Sequence, residues 1–335
     1  MCDVLSCRCN IRGGRRLKVV CIGAGIGSLL TGALLAKDGF SVEVFEKLPR
    51  IGGRFYNLPY KGYTLSTGAL HLLPHGDSGP MGRMLKKAGV QFEVVRGEPP
   101  ALLRYGKSYC PFENFYSLLP IWDRIKIGMI SLLSRVYTPD VSLKDWFYPY
   151  IKNELVCGIA DSFCGWSFSL MSSEVPARHV VKILHNIPKY GMPGVVMGGC
   201  SSICDGLASV IESEGGSIHT CSEVKRILVK NREVCGVLVG NNKVEADIVV
   251  SNIGHDATVK LLDGQMECAT EMKPSEGIKF CISPTRTLTD SPSIVFTPHM
   301  RVVCGLVDVS LADPSFAPEG KSLIMAHGVP HSPNL

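Results

Sequence analysis

An α/β fold with a Rossmann-type dinucleotide domain is predicted by three features of this 335-residue chain. A short apolar strand, Val19 to Ile22, runs into a glycine turn; a helical pattern follows at once; and Glu46 closes a second strand 21 residues after Gly25. Such an apolar run suits a parallel strand buried on both faces. Gly23 permits the tight turn, and Gly25 lets the backbone approach a pyrophosphate with no side chain between. The helix then aims its N–H groups and the positive end of its dipole at that phosphate. Glu46 is spaced to accept hydrogen bonds from both ribose hydroxyls, and it disfavours a 2′-phosphate. On these residues the expected ligand is FAD or NAD and not NADP. Ser28 stands in place of the third glycine of such turns and keeps a small side chain where helix and strand pack.

Composition narrows the class. The chain is long enough for two domains, with 45% apolar and 19% charged residues. Of its net charge of +5, residues 1–16 supply +3, through Arg8, Arg12, Arg15 and Arg16 against Asp3. The body is therefore near neutral and carries no nucleic-acid footprint. Fourteen cysteines are scattered without a CxxC, so no zinc ribbon or thioredoxin-like site is expected. Val19 to Ala36 is 18 residues without a charge, but Gly23, Gly25 and Gly27 would weaken a spanning helix, and a strand follows directly. The chain is accordingly read as cytoplasmic, with no signal peptide or membrane span. Residues 1–16 lack periodicity and read as a leader or disordered tail, with Leu17 standing where an alternative start codon would be.

Further along, FYNLPYKGYTLSTG alternates like a hairpin, and Met81 to Ala88 forms a short capped helix. Residues 112–190 are aromatic-rich and largely helical in pattern, with an amphipathic run over 121–137. Phe163, Trp166 and Phe168 are suited to an apolar substrate cavity, to peripheral contact with a membrane or to ordinary core. A helix bearing Ile203, Leu207, Val210 and Ile211 ends at Gly215. A three-strand meander follows, with turns expected at Asn231-Arg232 and Asn241-Asn242, then a last apolar strand, Ile248 to Val250. From Glu276 onward, strand-like runs alternate with Pro-rich turns and suggest an antiparallel sheet. The expected division is a tail over 1–16, a discontinuous FAD-binding domain over 17–75 and 190–255, and a substrate domain over 76–189 and 256–335.

Three blocks carry a family resemblance. GAGIGSLLTGALLAKDGFSVEVFEKLPRIGGR resembles the N-terminal FAD motif of the phytoene desaturase and flavin amine oxidase superfamily. The segment from Pro193 to Gly254 is similar to that group's middle block, and GYTLSTGALHLLPHG to the stretch beside the flavin. The resemblance implies FAD, with Gly23, Gly25 and Ser28 at the phosphate turn and Glu46 on the adenosine ribose. It implies that Gly52, Gly53 and Arg54 lie against the pyrophosphate and flavin, and that the Val224 backbone meets the adenine. Gly68 and Ala69 match the small residues beside the isoalloxazine ring, and Lys279 is a weak catalytic candidate near the flavin N5. Ser66 stands where the family often has an acid. The family's final block, a GD followed by a helix, has no counterpart before Leu335, which would leave the flavin cradle open and a sheet edge unpaired. The sequence is then a fragment, or a shortened protein that holds FAD poorly.

The function implied is FAD-dependent hydride transfer to or from a small apolar substrate, isoprenoid or lipid-like. A flavin amine oxidase is one alternative. A non-catalytic module like the Rab GDP-dissociation inhibitors, binding a prenyl group or protein partner, and an inactive truncated product are others. No metal set is expected: the two HxxPH spacings, His71/His75 and His327/His331, are interrupted by proline and read as surface or core histidines. Cys200 and Cys204 read as buried thiols.

Overall fold

A computed structural model describes residues 11–12, 15–68, 72–263, 275–300 and 302–330. Among these, eight α-helices follow one another along the chain. They are α1 (Ile26–Lys37), α2 (Pro80–Ala88), α3 (Ile121–Leu133) and α4 (Leu143–Phe147), then α5 (Glu154–Phe168), α6 (Ala177–Tyr190), α7 (Gly199–Ser213) and α8 (His255–Leu261). The chain divides into two compact units.

The first unit draws on Met1–Asn57, Arg83–Phe92 and Gly199–Met272. Its centre is a four-stranded, fully parallel sheet in the order Ser217–His219, Ser41–Phe45, Lys18–Ile22, Ile248–Ser251. Val19 and Val20 on the inner strand are fully buried, as the unbroken apolar run requires. Against this sheet α1 and α7 pack together; Gly32 lets the two helices approach, since a Cβ there would lie 3.2 Å from Ile211 Cδ1. The meander is present as Val224–Lys230, Glu233–Val239 and Asn242–Glu245. Its first turn is Asn231-Arg232, both left-handed, as in the hairpin turns that match strand twist. Its second lies at Gly240-Asn241, one residue earlier than expected, because Gly240 takes the left-handed position and Asn242 already pairs with Val239. Val224, Ile227 and Val237 form a core with Val20, Ile22 and Phe45. Arg15, within the stretch read as a tail, makes a two-pronged ion pair with Asp247, both bonds 2.9 Å.

The second unit comprises Leu58–Gly82, Glu93–Gly198 and Lys273–Leu335. The divisions at Asn57 and Gly199 differ from the positions 75 and 190 expected from sequence. A six-stranded sheet runs in the order Ser108–Pro111, Ala101–Tyr105, Ile294–Phe296, Val303–Asp308, Ile324–Gly328, Ile278–Ile282. It is antiparallel except where Ile294–Phe296 lies parallel to Ala101–Tyr105. One face carries α5, whose Phe163 and Cys164 join Leu103, Phe296 and Met325 in the main core. Gly305 permits the approach: a Cβ there would meet Trp166 Cε3 at 2.7 Å. Among the described residues no helix is long and apolar enough to cross a membrane.

Candidate functional site

The glycine turn of the first unit is built by backbone geometry before any side chain contributes. Gly23 has φ +85°, and a Cβ on it would lie 2.8 Å from Ile253 Cγ2. Gly25 then caps α1 in extended conformation without any side-chain cap, and no acidic residue occupies the first turn. The first N–H groups of the helix thus keep their pull on an anion. The second glycine pair lies against the first. Gly52 donates its N–H to the Ala24 carbonyl at 2.7 Å and forms an isolated bridge with Gly25. Gly52 is left-handed at φ +94°, and a Cβ there would meet the Phe55 carbonyl at 2.7 Å. A Cβ on Gly53 would sit 3.5 Å from Gly25 Cα, filling the floor between the two turns.

Glu46 is buried, and both its oxygens accept backbone N–H groups: Oε2 from Ala24 at 2.7 Å and Oε1 from Leu48 at 2.9 Å. Each carboxylate oxygen retains a second lone pair, so the bonds to the turn leave capacity for a ribose. The carbonyl of Glu46 accepts Ser222 N–H at 2.7 Å, which brings the segment leading into Val224 beside it. Val224 itself is buried and pairs with Val239. Arg50 stacks over the Tyr56 ring at 4.0 Å and donates to the Gly53 carbonyl at 3.2 Å. Arg54 is exposed. Ser28 is wholly buried and its Oγ has no hydrogen-bond partner among the described residues. Sequence reasoning missed Asn252. Its Oδ1 would lie 3.3 Å from a Cβ on Gly25 and 2.9 Å from one on Gly27, so it roofs the turn.

These parts fit a dinucleotide diphosphate: a glycine floor that a side chain would fill, an uncapped helix N-terminus and a nearby guanidinium. Cys200 and Cys204 are buried, and burial, with lesser contributions from Cys200 and Asp205, pushes the Cys204 thiol up to about 12. That thiol is protonated at neutral pH, which makes it a poor nucleophile.

In the second unit, Gly68 is buried and Ala69 lies outside the described residues. Lys279 projects from its strand so that Nζ donates to the Ser66 carbonyl at 3.1 Å and to the Gly68 carbonyl. Thus three positions singled out in sequence, 66, 68 and 279, converge. The same unit holds an apolar cavity of about 920 Å³. Phe112, Phe115, Trp146, Phe163 and Met192 are among its walls, and Ile127 and Ile130 of α3 close one side. A space of that size suits a ligand of drug dimensions or an isoprenoid chain.

The parallel sheet, glycine turn and following helix are those of a Rossmann-type α/β domain. The NAD(P)-binding Rossmann-like domain family matches residues 21–88. A protein of Methanocaldococcus jannaschii is 34% identical over 313 residues, 93% of this chain and 77% of that one. The crystal structure of an oxidoreductase from Methanosarcina mazei superposes with TM-score 0.90 at 38% identity, covering 95% of this chain and 80% of its own. The chain belongs to the family of these two archaeal proteins, and its sequence relatives place it in the superfamily of the phytoene desaturases. A 4,4'-diapolycopen-4-al dehydrogenase of Metabacillus indicus is 23% identical, over 92% of this chain and 74% of its own length. Putrescine oxidase, at 16% identity and TM-score 0.66 over 93% of this chain and 75% of its own, shares the fold.

Proposed function

We propose that this protein is an FAD-dependent oxidoreductase that moves a hydride to or from an apolar, isoprenoid- or lipid-like substrate. The observation that carries the reading is the large aromatic and aliphatic cavity, in a chain that also holds a dinucleotide turn. Gly25, Gly52, Gly53 and the α1 N-terminus would hold the diphosphate, Glu46 the ribose, and the Val224 backbone the adenine. Bound FAD supplies the hydride-accepting or -donating ring that no amino-acid side chain offers. The protein's part is to orient a C–C bond and exclude water, which the apolar walls support. Lys279 acts as a positioning group, tying its strand to the Gly68 carbonyl.

Contact with a membrane surface belongs to the same reading. Trp122, Ile125, Met129, Leu133 and Val136 form an exposed stripe at helical spacing along and just past α3. Lys126 shares its face, and Arg124 and Arg135 lie elsewhere on the same segment against the single acid Asp123, a net positive charge that suits an anionic bilayer. The opposite face of the helix lines the cavity, so an apolar substrate would pass from lipid to protein along one element.

The test is the visible spectrum of the purified protein, followed by release of any chromophore. Flavin bands with stoichiometric FAD are expected. Protein that is colourless, and stays so after incubation with FAD, overturns the reading.

A further inference from the structure

Within the second unit a smaller chamber, about 200 Å³, shares Phe163, Ile187 and Met192 with the large cavity. Its walls are mostly apolar, yet two histidines from distant parts of the chain, His75 and His327, both line it. His327 lies in the strand Ile324–Gly328 and is 2% exposed. Its Nε2 is 2.9 Å from Ser169 Oγ, while Nδ1 is buried and has no hydrogen-bond partner among the described residues. The Trp166 ring stands edge-on to it at 6.4 Å. His75 Nδ1 donates to the Gly191 carbonyl at 2.8 Å; a carbonyl only accepts, so the proton of the neutral ring sits on Nδ1 and Nε2 is an acceptor. The backbone of His75 is left-handed at φ +57°, a conformation costly for a non-glycine residue, and Arg96 donates to its carbonyl at 3.3 Å.

A buried imidazole nitrogen left unpaired costs free energy unless something completes it. Burial, then the Lys279 charge, holds the His327 ring below the usual histidine range, so it is neutral at neutral pH. A neutral ring favours an uncharged partner over a carboxylate, whose burial needs a committed cation. The nearby Lys279 ammonium is already engaged by the carbonyls of Ser66 and Gly68.

We propose that this chamber seats the hydroxyl end of an otherwise apolar ligand whose hydrocarbon body fills the large cavity. His327 and His75 supply the hydrogen bonds; Phe163, Ile187 and Met192 form the passage between the two spaces. The inference rests on the apolar-substrate reading above and adds to it one end-group and the residues that recognise it.

Equilibrium binding to the full chain, read by quenching of tryptophan fluorescence, tests it with two probes: geranylgeraniol and the C20 hydrocarbon that lacks its hydroxyl. The wild type should bind the alcohol about tenfold tighter, as one satisfied buried polar group allows. His327→Phe should bring the two affinities within about twofold, with the hydrocarbon affinity retained. His75→Phe should narrow the ratio as well. Equal binding of both probes by the wild type overturns the inference while leaving the cavity reading intact. So does an unchanged preference in His327→Phe. Failure of both probes to bind overturns the cavity reading and this inference with it. Should the variants not fold, the wild-type comparison alone decides.

Discussion

Glu46 holds the glycine turn in place: its Oε2 accepts the Ala24 N–H at 2.7 Å while Oε1 accepts Leu48 at 2.9 Å. One buried carboxylate therefore joins the loop after the first strand to the loop after the second. Glu46→Ala should leave two buried N–H groups without their acceptor and lower stability by about 1–3 kcal/mol. Glu46→Gln, which keeps one acceptor oxygen, should lose less. Urea unfolding of both variants checks the order, and FAD retention should fall in the same sequence.

Gly27 and Asn252 form a pair whose effects should not add. An alanine in a helix is favoured over glycine by about 1 kcal/mol. At Gly27, however, the new Cβ would lie 2.9 Å from Asn252 Oδ1. Gly27→Ala should destabilise the wild type yet stabilise the Asn252→Ala background. A double-mutant cycle in thermal unfolding measures the reversal of sign.

Lys279→Met keeps most of the side-chain volume and removes the ammonium that serves the Ser66 and Gly68 carbonyls. Loss of charged hydrogen bonds of this sort costs about 1.5–3 kcal/mol. Lower stability and weaker FAD retention are expected together, with Lys279→Arg recovering part of both. Full stability with unchanged FAD retention in Lys279→Met would remove its positioning role.

The His327 ring titrates below its ordinary value because burial, and then the Lys279 charge, disfavour the cation. As pH falls from 7 toward 5, the unfolded chain takes up a proton at this residue before the folded one does. Stability must then fall over that interval. Around the ring stand Lys279 on the paired strand, Ser169 and Trp166 at the end of α5, and His75 across the chamber. His327→Phe should flatten the pH dependence of urea unfolding between pH 7 and 5. An unchanged slope would contradict the cause assigned here.

Trp122 and Leu133 are 70% and 62% exposed. Replacing both with glutamate should leave the fold intact and abolish co-sedimentation with vesicles containing phosphatidylglycerol. Equal sedimentation of variant and wild type would argue against the α3 stripe as the contact.

What the sequence disclosed, and what it hid, follows from the range of the interactions. The strand at Val19, the turn at Gly23 and Gly25 and the acid at Glu46 are local features whose spacing has one economical geometry, so they were legible. The meander was legible too, though the Gly240 turn was placed one residue late because two asparagines competed with a glycine for the left-handed position. Lys279 came into view through resemblance; no local pattern announces that it meets Gly68, 211 residues away. That His75 and His327 line one chamber was invisible, because both sit in a spacing that reads equally well as core or surface. The roof at Asn252 was hidden for a further reason. Its contact is with positions that have no side chain, and such contacts leave no pattern of complementary residues.

The parallel sheet of the first unit sets a timetable for synthesis. Lys18–Ile22 pairs with Ile248–Ser251, a neighbour translated more than 200 residues later. At about 5–20 residues per second that interval is on the order of 10–50 s. Through it, one edge of an apolar strand waits for a partner that does not yet exist. Nascent chains halted before Ser251 should therefore engage chaperones through Val19 and Val20, and release them once the last strand docks.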